Sequence, residues 1–201
     1  MLKSNWLYLG AGLLLGLVII LGGWLFYDRT YTYTGSLIDP PAKAADFTLQ
    51  DQNDNPFRLS DQHGKTLLVF FGYTHCADIC PVTLTRFKEI KRLLGEQGNG
   101  VEFVFITVDP ERDSSAQIKS YLGQFDPGFI GLTGSQDALQ DVWQKYGVYR
   151  EKVPTGNGTD YEMDHSTRIY LVDKNGNWRL TYPFEMEVNG VVADLQHLLR
   201  G

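Results

Sequence analysis

The chain has 201 residues, 43% of them hydrophobic and 21% charged, which suits one globular domain plus a tail and leaves no room for two full domains. With 18 Lys and Arg against 24 Asp and Glu the formal charge is −6, so no net basic surface exists to displace counterions from nucleic acid, and nucleic acid is excluded as the default partner. Two cysteines are too few for a disulfide scaffold or a four-thiolate zinc site, and 21 glycines without a period exclude collagen-like sequence.

Taken in chain order, residues 1–5 lead into an uncharged apolar run at 6–27, WLYLGAGLLLGLVIILGGWLFY. Such a run is long enough to cross a bilayer, and Trp6, Tyr8, Trp24 and Tyr27 mark its ends as interfacial rings would. A cleaved signal peptide would have a shorter apolar core and a small-residue cleavage site, where this chain has Trp24, Leu25, Phe26 and Tyr27. Residues 6–27 are therefore expected to be a single transmembrane anchor. Lys3 precedes the run and Arg29 is offset by Asp28, so residues 1–5 are expected in the cytoplasm and the remainder outside it. That remainder carries 17 Lys and Arg against 24 Asp and Glu, which does not suit a polybasic membrane patch. No Arg-rich, Ser-rich presequence is present, which points to a bacterial inner (cytoplasmic) membrane with the domain facing the periplasm or cell exterior.

Residues 28–41 lack helical periodicity and end in two prolines, reading as a linker and extended entry to a domain at 42–201. Residues 46–60 alternate around a polar turn, as a hairpin does, and TLLVFF at 66–71 reads as a strand buried on both faces. Ile79, Leu84, Phe87, Ile90, Leu93 and Leu94 form a helical stripe. A second buried strand is expected at 101–108, a helix from the Ser114–Ser115 cap, a short strand at 129–132 and a helix at 135–146. Strands at 169–172 and 178–182 flank an Asn-Gly turn, and a helix closes the pattern at 188–199. The order βαβα with parallel crossovers defines an α/β fold with a hairpin at the sheet edge.

Both cysteines fall in GYTHCADICP, at the end of the first buried strand, where open α/β sheets place their sites. Cys76 and Cys80 could form a disulfide or share a metal. On one helical face their Cβ atoms would stand about 5 to 6 Å apart, against about 3.8 Å in a disulfide, so a bridge would be strained and easily reduced. Two thiolates near a helix N-terminus would bind a soft cation without distortion. Among the four histidines, His165 in MDHST just before the 169–172 strand is the best third ligand, and His63, His75 and His197 are read as non-ligands. Met163 is set aside as packing. A set of two thiolates and one imidazole favours copper, Cu(I) or Cu(II), over zinc.

These residues resemble the Sco/SenC copper proteins: FGYTHC, DICP, VDPERD and DHS before IYLVD, a resemblance covering about 42–201. It implies a thioredoxin-like domain with a central mixed sheet flanked by helices. It also implies copper ligation by Cys76, Cys80 and His165, and a membrane-anchored copper chaperone that assists assembly of the dinuclear copper centre of cytochrome c oxidase. The implied partners are the oxidase's copper-binding subunit, an upstream copper donor, and the membrane through residues 6–27. Ala77 stands where the family usually has proline. The alternative is a thiol-disulfide oxidoreductase that reduces the acceptor's cysteines, with Cys76 as attacking thiol and Cys80 as its partner. A peroxidase would need Thr74 and an arginine around one nucleophilic cysteine, and no arginine is assignable. The segment Asp109–Asp113 is read as partner docking or site electrostatics, against a simple helix-entry role.

Overall fold

The computed structural model describes residues 3–156 and 160–200, without the side chains of 3–7 and 25–30. The chain divides after Tyr33 into two units. The first holds helix α1 (Lys3–Thr30). Among the described residues, no helix is long and apolar enough to cross a membrane. This corrects the expected transmembrane anchor at 6–27, the membrane as a partner through those residues, and the single-pass placement in a bacterial inner membrane facing the periplasm or exterior. The side chains of 6, 7 and 25–27 lie outside the described residues.

In the second unit the elements are β1 (Ser36–Lys43), β2 (Thr48–Asp51), β3 (Pro56–Arg58), β4 (Thr66–Gly72), α2 (Ile79–Leu94), β5 (Val101–Thr107), α3 (Ser115–Gly123), β6 (Ile130–Thr133), α4 (Gln136–Lys145), β7 (Arg150–Pro154), β8 (Tyr161–His165), β9 (Ile169–Val172), β10 (Asn177–Tyr182) and α5 (Val188–Arg200). Eight strands form one sheet in the order β1-β10-β9-β4-β5-β6-β2-β3. β4, β5 and β6 are parallel, while β9 runs antiparallel to β4, which makes the sheet mixed. The thioredoxin-like α/β fold with a central mixed sheet flanked by helices is the arrangement the resemblance implies.

Every residue of β4 is buried, as its unbroken apolar run requires. The α2 stripe buries Leu84, Phe87, Ile90 and Leu94, and Phe87 lies against Phe70 of β4, Phe103 of β5 and Phe129. Gly131 of β6 is a packing requirement: a Cβ there would come within 2.1 Å of Ile118 and 2.6 Å of Leu122 on α3. Ser114 and Ser135 cap α3 and α4 by accepting from Gln117 and Ala138 N–H. Trp143 of α4 is buried and donates its indole N–H to the Thr107 carbonyl at the end of β5.

Two regions differ from expectation. Residues 36–43, read as extended entry, pair with β10 as an edge strand. Their entry is clasped by the buried Asp194 of α5, whose carboxylate accepts from the Thr34 and Gly35 N–H groups and the Tyr182 hydroxyl. The segment before β9, to which sequence reading assigns no element, is a hairpin of β7 and β8 in a sheet of its own.

Candidate metal centre

β4 delivers the chain to the site at Gly72, where side chains are forbidden. A Cβ there would meet the Phe105 and Phe70 rings at 2.8 Å and the Cys80 sulfur at 3.0 Å, so glycine is what lets Cys80 tuck against the strand end. The following turn closes as Cys76 N–H donates to the Tyr73 carbonyl at 3.3 Å. Cys76 is half-buried in this turn, outside the helix, and Cys80 is fully buried in the first turn of α2. The two cysteines therefore do not share a regular helical face. Instead the Cys80 N–H donates to the Cys76 sulfur at 3.4 Å, and both thiols are free.

The electrostatic consequence is an asymmetric pair. The Cys80 thiol donates to Cys76 and is the main reason the Cys76 thiol is pulled down to about 3; His165 and the backbone N–H groups of Cys80 and Asp78 add to this against the opposing effect of burial. The same contact, with burial and the neighbouring thiolate, pushes Cys80 well above the ordinary thiol range. Cys76 is the standing thiolate and Cys80 the protonated partner. Iodoacetamide is accordingly expected to modify Cys76 at a rate that is flat between about pH 5 and 8, with Cys80 unmodified until the chain unfolds. A rate climbing about tenfold per pH unit up to pH 8 would show that Cys76 is an ordinary thiol.

His165 ends β8, opposite Arg150. Its Nδ1 lies 2.9 Å from the Ser166 carbonyl, to which it donates, so Nε2 is the nitrogen left for a ligand. The ring stands edge-on to Tyr73 at 5.7 Å and near Phe70 at 6.4 Å. Burial pushes the Tyr73 hydroxyl up to about 12, which keeps it neutral beside the thiolate. Tyr73, Cys76, Met163 and His165 line a cleft of about 200 Å³, edged by Asp78, Glu162 and Asp164.

Thus the structure brings Cys76, Cys80 and His165 together pairwise, with Cys76 the common member. Among the described residues, no group of three or more His, Cys, Asp or Glu side chains could as it stands hold a metal ion. The expected copper chaperone with a CxxxC motif and a distal histidine is thereby cut back to a candidate cysteine pair with an imidazole beside its first sulfur, with no metal-binding cluster among the described residues. His75 lies outside the cleft lining, with its ring by the Thr74 hydroxyl.

The 109–113 segment, read as partner docking or site electrostatics, turns both of its aspartates inward. Asp109 and Asp113 are both fully buried. Asp113 accepts from the Thr74 hydroxyl at 2.6 Å, the Thr74 N–H at 3.1 Å and the Thr107 hydroxyl at 2.6 Å, holding the cysteine turn to the end of β5. Burial raises the Asp113 carboxyl above the ordinary carboxylate range, against the lowering effect of those threonine bonds. Thr74 is thereby committed and does not serve a peroxidatic cysteine. The contributions of Arg112, Tyr73 and Tyr161 escaped sequence reasoning. Glycine, tyrosine and threonine ahead of the first cysteine were the only local signal, and nothing in sequence paired Tyr161 with residue 109.

The family profile described as SCO1/SenC matches residues 36–200. A SCO2-like protein of Rickettsia conorii is 42% identical over 135 residues, 66% of this chain and 65% of that protein. The chain thus spans about 65% of the length of the first curated relatives it matches. Among solved structures, Bradyrhizobium japonicum ScoI with copper bound is 41% identical with a TM-score of 0.72, covering 78% of this chain and 99% of that one. Yeast Sco1 with copper bound is 32% identical with a TM-score of 0.72, covering 80% and 90%.

Proposed function

The chain belongs to the SCO1/SenC family, and from that premise we propose that it is a copper-binding chaperone whose cargo is held by Cys76, Cys80 and His165 and passed to the copper centre of cytochrome c oxidase. The observation that carries this reading is the asymmetric cysteine pair with an imidazole at its thiolate. Likeness to two copper-bound relatives supports a copper-binding role. Membership of the family supports a role in assembling the oxidase copper centre.

The residues fit the cargo. Two sulfurs and one imidazole nitrogen are soft to intermediate donors suited to Cu(I) and Cu(II) alike. Cys76 offers its thiolate already deprotonated, so only Cys80 has to lose a proton on binding. The Ser166 carbonyl fixes the His165 tautomer with Nε2 toward the ligand side. Drawing His165 and Cys80 together around Cys76 costs some binding energy and leaves the cargo exchangeable, as delivery demands.

The test is anaerobic copper(I) titration of the full reduced chain against a competing chelator, beside His165→Ala. One equivalent is expected, with His165→Ala weaker by more than about tenfold. Equal affinity in the two proteins would remove His165 from the ligand set.

A second reading is supported by the same asymmetry. An accessible thiolate beside a buried thiol is the arrangement of an attacking and a resolving cysteine. Cys76 would attack an acceptor disulfide and Cys80 would then displace the mixed disulfide, leaving a reduced acceptor and a Cys76–Cys80 bridge. Copper delivery to an acceptor that is already reduced separates the two, since a pure reductase delivers none.

A further inference from the structure

The hairpin that carries His165 has no ladder to the eight-stranded sheet. Its position over the cysteine turn therefore depends on side chains, and much of that work converges on the turn after β5. Asp109, fully buried, accepts from the Arg112 Nε at 2.5 Å and from the Tyr161 hydroxyl at 2.8 Å. Arg112 in turn donates through its other arm to the Tyr161 carbonyl at 2.9 Å. The guanidinium lies over the Tyr161 ring, 3.7 Å from its centroid, and 5.8 Å from that of Tyr73. Beside it, Lys152 of β7 pairs with Glu111 at 2.6 Å.

One cation thus touches both arms of the candidate site. Tyr161 is the first residue of β8 and His165 the last, so a clamp on Tyr161 is transmitted along about 13 Å of strand. Tyr73 belongs to the turn that carries Cys76 and stacks edge-on against His165. The partners are also hard to replace. Asp109 is an unexposed anion whose compensating charge is Arg112, and a lysine there would lack the fork that reaches both the Asp109 carboxylate and the Tyr161 carbonyl.

We propose that Arg112, locked by Asp109, is a positioning residue for cargo binding: it holds β8 in place over the cysteine turn and so sets where the His165 imidazole stands relative to Cys76. This rests on the ligand set proposed above. Arg112 does not touch the copper and acts through His165.

A double-mutant cycle tests it, with anaerobic copper(I) affinity read for the full chain, Arg112→Met, His165→Ala and the pair. Arg112→Met is expected to weaken binding on the order of tenfold, as outer-shell partners do. In the His165→Ala background the same change is expected to cost less than about twofold, because the residue it positions is gone. Arg112→Lys should recover little. In the copper-free protein, Arg112→Met should also speed amide exchange in 150–154 and 161–165 while leaving β4 and β5 protected. Should Arg112→Met fold poorly, Tyr161→Phe removes only the hydroxyl bond to Asp109 and enters the same cycle, with a loss of about threefold expected.

An equal loss in both backgrounds, with His165→Ala itself impaired, would overturn the positioning role and leave the ligand set standing. No loss from Arg112→Met or Tyr161→Phe, with exchange unchanged, would overturn it as well. A silent His165→Ala would instead remove the ligand assignment, and with it the route through which Arg112 is held to act.

Discussion

Cys76→Ser is expected to abolish tight copper binding, lowering affinity by on the order of a thousandfold or more in the chelator titration. Cys76 is the donor that both other candidates touch: the Cys80 N–H and thiol point to its sulfur, and His165 meets it from β8. A serine hydroxyl is a hard, protonated oxygen at neutral pH and offers copper nothing comparable to a thiolate. The loss must exceed the 10- to 100-fold that a merely supporting hydrogen-bond partner carries, since here a ligand is removed. The fold should be indifferent, because the side chain is half-buried and nearly isosteric. Retention of binding within tenfold would move the site away from this turn altogether.

Asp113→Ala should be the costliest polar substitution near the site, destabilising the chain by about 3 kcal/mol in denaturant unfolding with an unchanged slope. Its carboxyl is unexposed and serves three donors from Thr74 and Thr107, which would all lose this buried acceptor. The pH dependence has a definite sign. Burial raises the folded-state carboxyl above its ordinary value, so the folded chain holds this proton more tightly than the unfolded one. The stability linked to it is complete below the unfolded value near about 4 and is lost as pH rises through the raised folded value. Asp113→Ala should erase that segment of the pH profile. A cost under about 1 kcal/mol would mean that the threonines find other partners and that the cysteine turn is held by Gly72 and Tyr73 alone.

What the sequence made legible is what local pattern determines. The TLLVFF run, the α2 stripe and the Ser114 and Ser135 caps carry their own periodicity and termini, and each reappears within a residue or two. Cys76 and Cys80 were legible because two thiols in one turn at a strand end have few bland explanations. β1 was not, because Pro40 and Pro41 break the strand pattern and its partner, β10, lies some 140 residues away. The β7–β8 hairpin was hidden by YEMDH, whose two carboxylates and imidazole leave little apolar pattern to read, although Gly156 and the residues around it are turn formers. The anchor was read from uncharged length and from the aromatic residues at its ends. Arg112 could not be paired with Tyr161 from sequence, because the contact spans 49 positions and exists only once β5 and the hairpin are both in place.

The Asp194 clasp has a consequence for chain topology. It ties Thr34 and Gly35, where this unit begins, to a point about 1.7 turns before the end of α5. Arg200 lies about 9 Å further along the helix axis, a gap that a linker of about four residues can bridge. The unit is therefore close to a closed ring, and circular permutation that joins Arg200 to Thr34 and opens the exposed β2–β3 turn at Asn53 would keep the sheet order, the clasp and the cysteine turn intact.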